Sequence, residues 1–300
     1  MPLAVRTLVH ATDFSPASEQ AFDWALLFAQ RYGAELHMLH AVVLRGESSR
    51  HPDFEEPEEL LRRLERLARA DMSRLLSAGR PAAPVVREVV RRGFYAGEVI
   101  LDYVTEVAAD LVVMGTAGWR GARRMALGSV AEEVVRHAPC PVLALRHLES
   151  PVELHGLRRI LVPVDFSADS RAALAAAAEL ARTWGSELLL LHVVEERARP
   201  DFYTPLRIFE ADQEALTTRT TDELEALLPD RRAGDASQVR FGRPATEIAA
   251  AAADSRADLV VMASHGLTGV RRALFGSTVE AVLRRVECPV LVVKGEAPAE

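Results

Sequence analysis

GTAGWRGARRMALGS, Gly115–Ser129, is the stretch on which the fold turns. It follows ADLVVM, Ala109–Met114, whose unbroken apolar run reads as a strand buried on both faces. It precedes Val130–His137, whose pattern reads as a helix. Gly115 and Gly118 stand three apart, nine residues follow, and Gly128-Ser129 closes the stretch. Ser129 with Glu132 has the spacing of a capping box, in which the serine hydroxyl would cap the helix. Much later the chain reads ASHGLTGVRRALFGS, Ala263–Ser277, again after ADLVVM and again with a glutamate, Glu280, three residues past the serine. A connection this long, glycine-rich and basic is either a ligand loop used twice or a turn used twice.

The second occurrence is part of a larger repeat. LVHATDFSPASEQAF (Leu8–Phe22) answers ILVPVDFSADSRAAL (Ile160–Leu174), and LGSVAEEVVRHAPCPVLAL answers FGSTVEAVLRRVECPVLVV. The offset drifts only from 152 at Asp13/Asp165 to 148 at Cys140/Cys288, so few insertions separate the copies. Each copy is domain-sized, far longer than a solenoid repeat. The join falls in a short polar stretch, Leu148–Gly156, which gives domains at 1–148 and 157–296.

Within each copy, strand and helix patterns alternate. Leu3–Ala11 is apolar and rich in strand formers; Ser15 then caps a helix whose first position is Pro16. Gly33, and Gly185 in the second copy, ends that helix. Strands follow at Glu35–Val43, Val85–Val90, Leu111–Met114 and Pro141–Leu145, with helices at the leucine-spaced segment after Pro57, at Glu98–Ala108 and at Val130–His137. This alternation implies right-handed crossovers, hence an α/β fold of two repeated doubly wound domains, each a five-stranded parallel sheet with helices on both faces.

An open parallel sheet binds ligands beyond the carboxyl ends of its strands, where the strand order reverses. If the order is 3-2-1-4-5, the reversal lies between strands one and four. Asp13-Phe14-Ser15 and the Gly115–Ser129 stretch then face each other, as do Asp165-Phe166-Ser167 and Ala263–Ser277. The chemistry of the two sides differs. A carboxylate suits hydroxyl groups such as those of a ribose. Bare glycine N–H groups and the positive end of a helix suit phosphates, with Arg120, Arg123 and Arg124 adding charge. A nucleotide matches this polarity. A glycine-serine helix start with no ligand is the competing reading.

With these residues in hand, the chain resembles a universal stress protein of the tandem, two-domain type. The resemblance spans nearly all of both halves and rests on Asp-Phe-Ser, Ala-Asp-Leu-Val-Val-Met, the Gly-x2-Gly-x9-Gly-Ser loop and the closing Cys-Pro-Val-Leu. It implies the order 3-2-1-4-5, pairing of halves or chains through the last strands, and ATP or another adenine nucleotide, with or without Mg, in the crevice; members without the loop bind no ATP. Residue by residue it carries the site onto Ala11, Asp13, Val42, Met114, Gly115, Gly118, Gly128, Ser129 and Val130 in the first half. In the second half it falls on Pro163, Asp165, Val194, Met262, Ala263, Gly266, Gly276, Ser277 and Thr278. Met114 and Met262 read as base contacts or as core, with core the preferred reading. Ala263 departs from the motif by one methyl, tolerable where φ is negative. Both sites are expected, with unequal affinity.

Other chemistry is absent or weak. There is no Walker A sequence, no Gly-x-Ser-x-Gly elbow and no paired carboxylates, so the chain reads as a binding and signalling module rather than a catalyst, with slow ATP hydrolysis or pure scaffolding as rivals. A formal charge of −7 argues against nucleic acid or an anionic membrane as partner. No secretory leader or membrane span is read, so the expectation is cytoplasmic. Cys140 and Cys288 read as small buried residues rather than a disulfide or metal pair. His40 and His192, at the end of the second strand, read as structural or site-wall residues; His51 has no counterpart, and His265 falls in the second loop.

Overall fold

The structure is a computed structural model that describes residues 4–43, 57–77, 85–118, 127–147, 156–195, 206–228, 230–265 and 276–295. It divides into two compact units, one from Leu3 to His155 and one from Gly156 onward.

In the first unit the order of elements is β1 (Thr7–Ala11), α1 (Pro16–Tyr32), β2 (Glu35–Val43), α2 (Pro57–Ser77), β3 (Val85–Gly93), α3 (Ala96–Glu106), β4 (Leu111–Gly115), α4 (Ser129–His137) and β5 (Val142–Leu145). All strand pairings are parallel and the order is β3-β2-β1-β4-β5. The chain moves outward from β1 to β3, then crosses back to β4. Right-handed crossovers in opposite directions place α1 and α2 on one face and α3 and α4 on the other. Leu111–Met114 is buried throughout, as its lack of alternation requires. Phe22 and Phe28 of α1 are fully buried among Leu8, Leu36 and Met38 of the core.

The second unit repeats the plan with β6 (Arg159–Pro163), α5 (Ala168–Trp184), β7 (Glu187–Glu195), α6 (Leu206–Glu225), β8 (Ala236–Gly242), α7 (Pro244–Ser255), β9 (Leu259–Ala263), α8 (Ser277–Arg285) and β10 (Val290–Val293). Its strands are parallel in the order β8-β7-β6-β9-β10. Among the described residues no helix is long and apolar enough to cross a membrane.

The first helix of each unit begins and ends where the sequence marks it. Ser15 Oγ accepts from the Ser18 N–H at 3.3 Å, and Ser167 Oγ from the Ser170 N–H at 3.1 Å. Gly33 (φ 66°) and Gly185 (φ 74°) close the two helices in the left-handed conformation. β3 runs on to Gly93, beyond the expected Val90, because β2 continues beside it to Val43. The arginines that hid this extension, Arg91 and Arg92, are exposed, as charged residues on an edge strand are.

Cys140 and Cys288 form no disulfide, and burial pushes the Cys288 thiol up to about 12. Since the thiolate is the reactive form, Cys288 should react with iodoacetamide at pH 8 at least 100-fold more slowly in the folded chain than in urea. A folded rate equal to the unfolded one would contradict this burial.

Candidate functional site

β1 and β4 run side by side with Leu8 opposite Leu111 and Ala11 opposite Met114, so both strands leave the sheet at the same level. That is the reversal of strand order, and the crevice opens there. Asp13, just beyond β1, is exposed; Gly115 ends β4 and Gly118 follows it. The two sides touch: a Cβ built on Gly118 would fall on the Asp13 carboxylate Oδ2. The structure therefore brings Asp13 and Gly118 closer than opposite ends of a long ligand would require.

Gly115, Gly118 and Gly128, the described glycines of the first loop, are needed for proximity, not for unusual backbone angles, since none has positive φ. A Cβ on Gly115 would lie 3.0 Å from the backbone of Ala17 and Ser18 at the start of α1. At the matching place in the second unit, Ala263 ends β9 and is buried, likewise without positive φ. A Cβ on Gly128 would lie 3.1 Å from the Thr116 carbonyl oxygen, and one on Gly276 would lie 3.0 Å from that of Ser264. The same carbonyls accept from the Gly128 and Gly276 N–H groups, at 2.7 and 3.4 Å.

Those two bonds overturn the capping boxes. Gly128, held extended at φ −68°, ψ 143°, is itself the N-cap, and Ser129 is the first residue of α4. Gly276 caps α8 in the same way. Neither cap residue, being glycine, has a side chain to bond the first-turn N–H groups of its helix. Glu132 instead pairs with Arg136 at 2.6 Å, and Glu280 with Arg284. Ser129 and Ser277 are exposed at the crevice end of their helices with their hydroxyls not engaged as caps.

The aspartates are fixed by tight turns. Asp13 Oδ1 accepts from the Ser15 N–H at 3.0 Å, and Asp165 Oδ1 from the Ser167 N–H at 3.0 Å. Asp165 also accepts from Ser167 Oγ at 2.5 Å. The next residues, Phe14 (φ 58°) and Phe166 (φ 64°), are left-handed, a conformation that bulky residues rarely adopt. The first turn has a further support, because Thr12 Oγ1 accepts from the Phe14 N–H at 3.1 Å and from Ser18 Oγ at 2.7 Å; Val164 stands in its place in the second unit.

The remaining expected residues fall as follows. Ala11, Val42 and Met114 are buried at the carboxyl ends of β1, β2 and β4. Pro163 and Val194 are half-buried at the ends of β6 and β7, and Met262 is buried in β9. Both methionines thus fill core. Val130 and Thr278 lie half-buried in the first turns of α4 and α8. His265 follows buried Ser264, with Nδ1 3.0 Å from Ser264 Oγ. Gly266, Arg120, Arg123, Arg124 and His51 lie outside the described residues. The left-handed phenylalanines were not anticipated; the recurrence of Asp-Phe-Ser was their only signal.

Together, fold and site define a tandem of doubly wound α/β domains, each with an aspartate turn and a glycine loop at its switch point. The universal stress protein family profile matches residues 4–146 and again 156–294. The chain belongs to the universal stress protein family. A universal stress protein of Mycobacterium tuberculosis is 26% identical over 298 residues, covering 96% of each chain. The crystal structure of a universal stress protein from Archaeoglobus fulgidus shares the fold at a TM-score of 0.69 and 22% identity, covering 99% of each chain. A solved universal stress protein in complex with cAMP is 26% identical, with a TM-score of 0.36, and covers 48% of this chain and 99% of its own.

Proposed function

We propose that each half binds ATP or another adenine nucleotide at the switch-point crevice, and that the protein acts as a binding and signalling module in a stress response. The observation that carries this reading is the contact between the Asp13 carboxylate and Gly118 across the β1–β4 reversal. The carboxylate is exposed and would accept the ribose hydroxyls. With Asp13 against Gly118, the phosphates belong farther along, over Gly128, Ser129 and the first-turn N–H groups of α4, whose glycine cap offers no side chain. The exposed hydroxyls of Ser129 and Ser277 fit a phosphate, and Mg²⁺, when bound, would screen that phosphate from the aspartate. In the second half Asp165, Gly276, Ser277 and α8 hold the same roles; Ala263 in place of Gly115 and Val164 in place of Thr12 support unequal affinity. Pairing of the two halves through their last strands, and of two chains, belongs to the same proposal, because an apolar strand at a sheet edge invites another.

Calorimetric titration of the nucleotide-stripped chain with Mg·ATP tests the reading, with cAMP as a parallel probe. The expected result is saturable binding of up to two nucleotides per chain. Changing Asp13→Ala and Asp165→Ala together should weaken it about tenfold or more, roughly 1.4 kcal/mol per site. Absence of binding at millimolar ATP and cAMP would overturn the proposal.

A further inference from the structure

His40 stands at the carboxyl end of β2, where its ring reaches across to the turn after β1. Its Nδ1 lies 2.8 Å from the Thr12 carbonyl oxygen, and its ring lies 4.8 Å from that of Phe14, centroid to centroid. One imidazole therefore grips the residue before Asp13 and the residue after it. The second unit repeats this with other neighbours. His192 Nδ1 lies 2.7 Å from the Val164 carbonyl oxygen, and the His192 ring lies 4.9 Å from that of Phe166.

The chemistry of the grip is constrained. A carbonyl oxygen only accepts, so Nδ1 must carry the proton. Burial lowers the His40 pKa, so the neutral ring is favoured, protonated at Nδ1 with Nε2 bare. The left-handed phenylalanines need outside support, because their conformation is unfavourable for a bulky residue. A tilted ring contact with the histidine, at 31° in the first unit and 45° in the second, supplies it. In the second unit Val164 has no hydroxyl to match Thr12 Oγ1, yet the turn keeps its shape. The histidine is the ring common to both turns besides Asp-Phe-Ser, alongside a backbone bond from Thr12 or Val164 N–H to the second strand of each unit.

We infer that His40 and His192 are positioning residues, each holding the carboxylate of Asp13 or Asp165 in place through the residues that flank it. This rests on the proposed nucleotide site for its consequence, but its geometry does not depend on a ligand. A clamp of this kind keeps the aspartate pre-arranged for ligand hydroxyls.

The test uses the full chain with changes made in both halves at once. His40→Leu with His192→Leu should keep the fold by circular dichroism and weaken ATP roughly tenfold. Asparagine places its amide nitrogen near the position of Nδ1, so His40→Asn with His192→Asn should recover part of that loss. Combined with Asp13→Ala and Asp165→Ala, the leucine changes should add no more than about twofold, since residues acting through one another are not additive. Multiplying losses, or an unchanged affinity in the leucine variant, would overturn the inference. A second readout needs no nucleotide. Amide hydrogen exchange at Ser15 and Ser167, which bond the aspartates, should accelerate at least tenfold in the leucine variant. Unchanged exchange there overturns the clamp. If the wild type binds neither nucleotide, the proposed function falls, and the exchange measurement still decides the role of the histidines.

Discussion

Gly118→Val is expected to remove nucleotide binding from the first half and leave the second half binding as before. A Cβ at this position falls on the Asp13 carboxylate, so a branched side chain cannot enter unless Asp13 swings out. Swinging out breaks the bond from the Ser15 N–H to Asp13 Oδ1 and turns the carboxylate away from the crevice. The fold should survive, because the obstacle is the far end of a flexible exposed side chain and not backbone. The expected loss at the first site is about 100-fold, on the order of 2.7 kcal/mol. Titration should show the stoichiometry falling by one nucleotide per chain, with the melting temperature nearly unchanged. Gly118→Ala should fall between, since a single methyl already meets the carboxylate. Unaltered stoichiometry and affinity in the valine variant would mean that nucleotide, if bound, does not lie between Asp13 and Gly118.

Much of what this prediction uses is legible in the sequence, for physical reasons. LVVM is a strand buried on both faces, and nothing but burial on both faces tolerates four successive apolar residues in a parallel sheet. Ser15-Pro16 and Gly33 mark helix ends because the local backbone needs those side chains, whatever the tertiary context. The repeat makes every such signal appear twice. Ser129 misleads for the opposite reason. Whether a serine caps a helix depends on where the helix starts, and the start is set by a tertiary bond from the Gly128 N–H to Thr116. Gly115 is marked in the sequence as a loop glycine, but its restriction comes from α1, whose start would lie 3.0 Å from a Cβ placed there, and local sequence does not encode that approach. Phe14 is the least legible of all. A left-handed phenylalanine contradicts its own propensity, and the support for it comes from β2, the neighbouring strand.

Asp110→Ala is expected to destabilise the first unit by about 3 kcal/mol, from the loss of two hydrogen bonds to a charged acceptor and the stranding of their donors. The aspartate of ADLVVM sits one residue before β4, and its Oδ2 accepts from the Arg6 N–H at 2.8 Å and the Thr7 N–H at 2.9 Å. Its own N–H donates to the Thr7 carbonyl at 2.9 Å. The start of β1 is thus tied to the start of β4 by side chain and backbone together. The second unit does the same, with Asp258 Oδ2 accepting from the Arg158 and Arg159 N–H groups at 2.8 Å each. This tie sets the register of β1 on β4, and the register decides that Asp13 and Gly118 meet at the other end of the strands. Asp110→Asn keeps an acceptor oxygen and should cost less than half as much. For a unit of this size the alanine change should lower the first unfolding transition by roughly 6–12 °C. The same substitution at Asp258 should lower the transition of the second unit alone. If neither transition moves by more than a degree, the two N–H groups find other partners and the aspartate does not set the register. If Asp110→Ala lowers stability but leaves ATP affinity at the first site unchanged in the folded chain, the tie stabilises the sheet without controlling the crevice.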